Sequence, residues 1–417
     1  MKTSRRVGWM RKRRLSRTLL TAAIVVGLTA SWLSSATARS GGTGKASGKP
    51  IVIGIYTPAD NATFTAPELI DGAQAAVKYV NNTLDGLGGR PIKLVSCKSD
   101  YTVPGLTACA NQLFQQNPLI IIPGPDASAF SVQGTFDASG IPLIGGASFT
   151  PPEYTSKSRA VFNGFSASLF PAMVHFAVAK LHAKKLTTMS VDVPSNTIIK
   201  SIFMDPIAAT NGLPKPDFIA VPVGSADLTS FVAAALEKKP DVLLPFGLPC
   251  LPFFQAYQSL GSHVPVILPD NCSDSKTLKQ AGAQANGMYF VSLYNGQQIT
   301  PKDPDVKIYA KQMKKYAKGV ADTSFSRSAF GTIMNIHKLL GSTDPNTLTH
   351  ASVLAAFKGA SKQPNFLNTP YDCVSPPVPK YPAICAGSAF LMRQVNGKVK
   401  RQTQFVTLDI LFAKANG

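Results

Sequence analysis

Beyond residue 50, short apolar runs rich in β-branched residues alternate with stretches that have helical periodicity. The run Ile51–Tyr56 is followed by a stretch whose apolar residues, among them Leu69, Ala73 and Val80, recur at the spacing of one helix face. Strands that alternate with helices form a parallel sheet covered by helices on both faces. The alternation therefore predicts a doubly wound α/β fold.

The same alternation begins a second time near residue 168 and continues to about residue 291. A chain of 417 residues also exceeds what a single core usually holds. Both observations predict two parallel-sheet units in tandem. Near the C-terminus, Asn396-Gly397 separates two strand-like runs, 388–394 and 402–408, which predicts a hairpin.

The N-terminal 38 residues have the pattern of an export signal. Basic residues precede the apolar run Leu19–Leu33, and Ala36-Thr37-Ala38 has the A-x-A form of a cleavage site. We expect cleavage near Ala38 and a secreted, extracytoplasmic protein; an uncleaved membrane anchor is the alternative. No cysteine stands at the cleavage point to carry a lipid. Residues 39–50, rich in glycine, serine and lysine, are predicted to be a flexible linker.

Part of the formal net charge of +20 comes from this leader, residues 1–38, which holds eight of the 42 basic residues and no acidic one. The remainder has 34 basic against 22 acidic residues, a net charge of +12 that favours contact with anionic surfaces. The densest lysine cluster, between Lys311 and Lys318, has the spacing of a solvated helix face. No nucleic-acid-binding motif accompanies it, so no nucleic acid partner is predicted.

Six cysteines in an exported chain indicate three disulfides. They form three local couples, and because short loops close at the least entropic cost, sequential pairing is favoured. The alternative, a zinc site, lacks a C-x-x-C motif and any histidine at ligand spacing, so no metal is predicted. The expected couples are Cys97 with Cys109, Cys250 with Cys272, and Cys373 with Cys385.

No motif of nucleophilic, metal-dependent or nucleotide-dependent catalysis occurs in the chain, and the pair His175 and His182 has no accompanying acidic or cysteine ligand. The sequence predicts neither an enzyme nor a cofactor. Instead, loops rich in small, polar and proline residues follow the predicted strands, where open parallel sheets bind ligands. These loops are residues 57–65, 123–128, 145–150, 245–250 and 270–272.

Several short motifs occur in the order found in one known family. They include Ile51-Val52-Ile53-Gly54, Gly72-Ala73-Gln74-Ala75-Ala76-Val77, Gly89-Arg90-Pro91-Ile92-Lys93-Leu94, Pro142-Leu143-Ile144, Gly146-Ala147-Ser148, Pro240-Asp241-Val242 and Gly287-Met288. Together they resemble type I periplasmic binding proteins, specifically the branched-chain amino-acid (leucine/isoleucine/valine) group that serves ABC importers. The resemblance covers essentially the whole chain after the leader.

The resemblance implies two lobes joined by a three-strand hinge, with the ligand cleft between them. Lobe 1 would comprise residues 51–167 and 293–382, and lobe 2 residues 168–292 and 383–417. The implied function is capture of a small polar ligand, an amino acid or related amine or amide, by hinge closure, and delivery by a monomer to an ABC importer permease. A ligand-sensing receptor ectodomain of the same fold is the alternative.

The resemblance also implies which residues contact the ligand. Ala147 and Ser148 match the backbone-and-hydroxyl clamp, and Asp126 and Ala127 match a second ligand loop; the alternative for Asp126 is a helix cap. Asp270 matches the acid that faces the ligand's ammonium group.

Asn196 and Leu248 occupy positions where the family often has tyrosines, a departure that argues against an ordinary branched-chain amino acid. A disulfide between Cys250 and Cys272 would lie at the rim of the cleft and rigidify it.

Overall fold

The computed structural model describes residues 44–59, 61 and 64–415. The predicted signal peptide, residues 1–38, lies outside the described residues, as do residues 39–43 of the predicted linker. Within the described part of the chain, no helix combines the length and the apolar composition needed to cross a membrane.

The first segment of the chain forms a five-stranded parallel sheet with strand order β2-β1-β3-β4-β5. Strand β1 lies inside the sheet, and its nearly continuous burial explains the apolar run at Ile51–Tyr56. The elements of this segment are β1 (Ile51–Pro58), α1 (Glu68–Thr83), β2 (Ile92–Ser99), α2 (Val103–Gln115), β3 (Ile120–Ile122), α3 (Ala129–Ala138), β4 (Leu143–Ile144), α4 (Pro151–Thr155) and β5 (Arg159–Ala160).

The second segment repeats the alternation. Its strands run in the order β7-β6-β8, and a parallel bridge between Leu243 and Val266 leads on to β9 and β10. The elements are α5 (Ser166–Leu181), β6 (Leu186–Val191), α6 (Pro194–Ile199), a π-helical turn (Lys200–Met204), α7 (Asp205–Thr210), β7 (Asp217–Val221), α8 (Thr229–Glu237), β8 (Val242–Pro245), α9 (Cys250–Ser259), β9 (Ile267–Pro269), α10 (Ser275–Ala281) and β10 (Tyr289–Ser292).

After β10 the chain returns to the first lobe, and it then crosses to the second lobe once more. Helix α12 packs against α1, and β11 pairs with β10, so three crossovers connect the lobes, as predicted. The residue boundaries assigned to each lobe stay a prediction. The remaining elements are α11 (Pro304–Tyr316), α12 (Ser324–Leu340), α13 (His350–Lys358), β11 (Ser388–Val395), β12 (Lys398–Arg401), β13 (Val406–Thr407) and α14 (Leu408–Phe412).

The predicted hairpin is present, but its second strand differs from the prediction. Asn396 and Gly397 have φ angles of 51° and 77°, as a two-residue turn with both central residues left-handed requires. Such a turn starts the returning strand immediately, so β12 covers Lys398–Arg401 and the predicted strand 402–408 is wrong. Only Val406–Thr407 forms a strand in that range, paired with the start of β11.

Residues 44–47 of the segment predicted as a flexible linker are attached to the first lobe. The Ala46 amide donates to the Asn81 carbonyl oxygen at 2.8 Å, and the Ser47 amide donates to that of Gly89 at 3.0 Å. Ala46 is also buried. These contacts fix the chain against the C-terminal end of α1 before β1 begins.

Helix α12 begins at Ser324, four residues before the predicted start at Ser328. Thr323 caps it, because its hydroxyl accepts from the Phe325 amide at 3.2 Å while the Thr323 amide donates to the Ser326 hydroxyl at 3.1 Å. The extra turn carries Ser324 and Phe325 to the gap between the lobes.

The contact of α1 with α12 is close enough to require a glycine. A Cβ atom at Gly72 would lie 2.3 Å from the Ser326 carbonyl oxygen, which is a backbone atom that cannot rotate away. Burial of Leu69, Ala73 and Val80 on the same helix contributes the apolar part of the interface.

We predict that Gly72→Ala lowers the free energy of unfolding by about 1–3 kcal/mol, because the added methyl group forces the two helices apart. The matched control is Gly134→Ala in α3, where a Cβ would have no atom within 4 Å. The control variant should gain about 0.5–1 kcal/mol from helix propensity. Urea unfolding of both variants checks the prediction, and an equal effect at the two sites would contradict it.

Candidate functional site

A cavity of ≈ 380 Å³ lies between the two lobes, at the carboxyl ends of the second-lobe strands. This is the position at which open parallel sheets bind ligands. Its lining residues are Phe64, Thr65, Tyr101, Phe149, Phe165, Leu169, Phe170, Val191, Val193, Asn196, Val221, Pro222, Gly224, Ser225, Leu228, Phe246, Gly247, Leu248, Pro249, Pro269, Asn271 and Phe325.

Five aromatic side chains, which we call the aromatic wall, cover the first-lobe and hinge side of the cavity. They are Phe64, Tyr101, Phe149, Phe165 and Phe325. The Phe64 ring lies 5.7 Å from that of Tyr101 and 5.6 Å from that of Phe325, and the Phe165 ring lies 5.3 Å from that of Phe325. Each distance is within the range of favourable aromatic pairs, so the wall forms a continuous apolar surface.

The opposite side is formed by loops that follow four parallel strands of the second lobe. Strands β6, β7, β8 and β9 end at Val191, Val221, Pro245 and Pro269, and each is followed directly by lining residues. Most of these loop residues are apolar. Asn196 is one of the polar residues in these loops. Its side-chain amide donates to the Val191 carbonyl oxygen at 3.0 Å, and this hydrogen bond holds the side chain in place.

Among the described residues that line the cavity there is no aspartate, glutamate, lysine, arginine or histidine; Asp60, in the same loop as Phe64, lies outside the described residues. Burial raises the pKa of the Tyr101 hydroxyl further above the usual value for tyrosine, so this group stays protonated and uncharged. The described part of the lining therefore offers apolar surface and neutral hydrogen-bonding groups and carries no charged side chain. The described residues also contain no cluster of three side chains suited to bind a metal.

Of the seven residues predicted to contact a ligand, Asn196 and Leu248 line this cavity and Ala127 lines a neighbouring one. The other four do not line either cavity. Ala147 is buried, and its amide donates to the Pro123 carbonyl oxygen at 2.9 Å. Ser148 is buried beside Arg159, whose guanidinium donates to its hydroxyl at 3.0 Å.

The Asp126 carboxylate caps the turn that precedes α3. Its Oδ1 accepts from the Ser128 amide at 2.8 Å, its Oδ2 accepts from the Ser99 hydroxyl, and the residue is fully buried. Burial raises the pKa of this carboxyl, against the lowering effect of the Ser99 hydrogen bond. The geometry matches the alternative of a cap, and a ligand-binding role for Asp126 stays a prediction.

Asp270 stands in the sequence between the lining residues Pro269 and Asn271, but its carboxylate is bound by other side chains of the protein. Oδ2 accepts from the Ser292 hydroxyl at 2.5 Å, and both oxygens lie 2.7 Å from the Ser324 hydroxyl. Arg327 Nη1 lies 3.5 Å from Oδ2. Burial raises the pKa of Asp270, and the Arg327 charge opposes this shift. Because Ser324 and Arg327 belong to α12, the contact joins the two lobes.

We predict that Arg327→Met lowers the free energy of unfolding by about 3 kcal/mol, because the Asp270 carboxylate is left buried without its cation and the 2.7 Å ion pair of Arg327 with the partly exposed Asp322 is lost as well. The double variant Asp270→Asn, Arg327→Met should recover part of that loss. Lys185→Met serves as control: its ion pair with Asp217 is 47% and 38% exposed, and its loss should cost less than about 1 kcal/mol. Urea unfolding measures the free energy of unfolding of each variant. If Arg327→Met lowers it no more than Lys185→Met does, the buried Asp270–Arg327 pair does not stabilise the fold as proposed.

The three predicted disulfides are confirmed: Cys97 with Cys109, Cys250 with Cys272, and Cys373 with Cys385. The second of these joins the start of α9 to the 3₁₀ turn Asp270–Ser273. Both partners are adjacent in sequence to lining residues, Pro249 and Asn271. The bridge therefore links two loops that line the cavity.

Replacement of both Cys250 and Cys272 by serine should lower the free energy of unfolding by about 2–4 kcal/mol. Amide hydrogen exchange of residues 246–249 and 270–273 should also become faster, because the loops lose their covalent link. The control pair Cys97→Ser, Cys109→Ser should reduce stability without this local change. Equal exchange rates for these loops in the two variants would refute the predicted rigidifying effect.

The aromatic wall was not singled out from the sequence. Phe64 and Phe149 stand inside predicted strand-end loops, and their place in those loops is the sequence signal that could have identified them. Phe165 lies at the first crossover and Phe325 at the start of α12. No local pattern associates these two with the loops that they contact.

Comparison with known proteins agrees with this architecture. The sequence model of the family described as "Periplasmic binding protein" matches residues 20–372, which is most of the chain. The chain therefore belongs to the type I periplasmic binding proteins, a family of binding proteins rather than of enzymes. Comparison with curated protein sequences gives no significant match.

Solved structures with the same fold include binding proteins for chemically different ligands. A fatty acid ABC transporter substrate-binding protein from Thermomonospora curvata has a TM-score of 0.72 at 17% identity, over 88% of this chain and 94% of that one. The solute-binding protein of an ABC transporter from R. palustris, in complex with benzoate, has a TM-score of 0.67 at 18% identity, over 86% and 98%.

The branched-chain amino acid transporter substrate-binding protein LivJ from Streptococcus pneumoniae, in complex with isoleucine, has a TM-score of 0.64 at 17% identity, over 86% and 100%. At these identities the likeness establishes the fold alone.

Proposed function

We propose that this protein captures an apolar or aromatic small molecule outside the cytoplasm and delivers it to the permease of an ABC importer. The function is binding without a catalytic step, and the protein acts as a monomer. Family membership supports the transport role, and three disulfides are typical of a protein exported to an oxidising compartment. The predicted export signal at residues 1–38 agrees with that location.

The ligand class rests on the uncharged lining of the interlobe cavity. A zwitterionic amino acid brings both a carboxylate and an ammonium group. A carboxylate can accept from neutral donors of the lining, such as the Tyr101 and Ser225 hydroxyls, whereas burial of an ammonium group without an acidic partner is costly. Asp270, a buried acid next to the lining, is already paired with Arg327. We therefore propose an apolar ligand in place of the amino acid or amine predicted from the sequence. The fatty acid and benzoate proteins of the same fold show that this class is compatible with the architecture.

The binding free energy comes from the apolar surface that becomes buried when the two lobes close around the ligand. The aromatic wall belongs to the first lobe and the hinge, whereas Val191, Val221 and Leu248 belong to the second lobe. A ligand that contacts both surfaces buries its apolar area only in the closed form, and each Å² contributes about 25 cal/mol. The ligand thus shifts the lobes towards the closed form.

Thermal-shift measurements against octanoate, benzoate, leucine, isoleucine, glutamate and putrescine test the ligand class. We expect stabilisation by octanoate or benzoate, of about 2.7 kcal/mol at a concentration 100 times the dissociation constant. No stabilisation is expected from the amino acids or putrescine. Stabilisation by leucine or isoleucine but by neither apolar acid would overturn the proposed ligand class.

A charge placed in the lining provides a matched test of the site. Ser225 lines the cavity, and its neighbour Ala226 is exposed and does not. Ser225→Asp should weaken binding of the apolar acid by roughly tenfold or more, because the new carboxylate loses hydration in the closed form. Ala226→Asp should leave binding unchanged in calorimetric titration.

A further inference from the structure

A second cavity, also of ≈ 380 Å³, adjoins the first. The two cavities share Tyr101, Phe149 and Val193 in their linings. The described residues that line the second cavity likewise include no charged one. The two cavities therefore lie side by side and share a boundary at Tyr101, Phe149 and Val193.

Both lobes contribute to the second cavity. Val103 and Phe130 come from α2 and α3 of the first lobe, and Ile198 and Phe203 come from the region of α6 and the π-helical turn. The side chains of Val103 and Phe130 remain 44% and 49% exposed, which makes them two of the large apolar residues left uncovered in the described chain. An apolar surface of this kind, beside a ligand cavity, favours an apolar occupant.

The boundary residue Tyr101 is held in an unusual backbone conformation. Its φ angle is 66°, in the left-handed region that residues other than glycine rarely adopt. Residues in such conformations cluster at ligand sites, where the surrounding structure maintains them. Contact of its ring with that of Phe64, at 5.7 Å, ties the boundary to the aromatic wall.

We propose that the two cavities are compartments of one elongated site and that the ligand is an unbranched acyl chain whose distal end occupies the second compartment. This inference rests on the proposed function and narrows its ligand class. A compact ring fills one compartment only, whereas a flexible chain can bend past the rings of Tyr101 and Phe149 and bury methylene groups in both.

The test uses saturated fatty acids from hexanoate to dodecanoate, each below its micelle concentration, in calorimetric titration with the purified protein. Each added methylene group should tighten binding roughly fourfold while it enters apolar surroundings. The gain should continue through dodecanoate. A gain that ends at hexanoate or octanoate would show that one compartment is used, and would overturn the elongated site while the proposed function stands.

A double variant isolates the second compartment. Val103→Asn, Phe130→Asn replaces its exposed apolar side chains with neutral polar ones, so repulsion of the carboxylate cannot imitate the effect. We expect dodecanoate to bind at least tenfold more weakly and hexanoate to bind within about twofold of the unaltered protein. The matched control is Val374→Asn, Ile410→Asn, whose parent residues are 58% and 49% exposed and line neither cavity.

The inference is overturned if the two double variants lose dodecanoate affinity equally, or if neither loses any. Unfolding midpoints of both variants verify that they are folded. Failure of every fatty acid and of benzoate to bind the unaltered protein would instead reject the proposed ligand class itself. The two failures are therefore distinguishable.

Discussion

The Asp270 carboxylate belongs to the second lobe but is bound by Ser324 and Arg327 at the start of a first-lobe helix. A carboxylate buried at this position needs both hydrogen-bond donors and a cation, and the protein supplies them from its own side chains. The same contact holds the lobes together beside the cavity. It also binds the buried Asp270 carboxylate to side chains of the protein itself, and the described lining residues include no charged side chain.

The aromatic wall depends on the same helix. Phe325 follows Ser324 directly, so the turn that presents the hydroxyl to Asp270 also presents a ring to Phe64 and Phe165. The early start of α12, capped by Thr323, is what brings both groups to the gap. On the other side, the Cys250–Cys272 bridge fixes two of the second-lobe loops relative to each other. The chemistry of the cavity thus follows from a few contacts between distant segments.

Features that depend on neighbours in sequence were predictable. The alternation of strands and helices, the Asn396-Gly397 turn and the three local disulfides follow from periodicity, turn chemistry and loop entropy. The partners of Asp270 were not predictable, since Ser324 and Arg327 lie more than 50 residues away and meet it only through packing. The resemblance indicated an acid facing an ammonium group; the structure places an arginine of the chain itself beside that acid.

The interface around Gly72 also constrains the order in which the protein assembles. Helix α1 is made early, but its partner α12 follows only after the entire second segment. Because an exported chain folds only after it crosses the membrane, an interval separates the emergence of α1 from that of α12. During that time the small-residue face of α1 has no native partner, so the first lobe cannot complete its core as the chain emerges. Each disulfide, by contrast, joins cysteines within one continuous segment and can form before the lobes are complete.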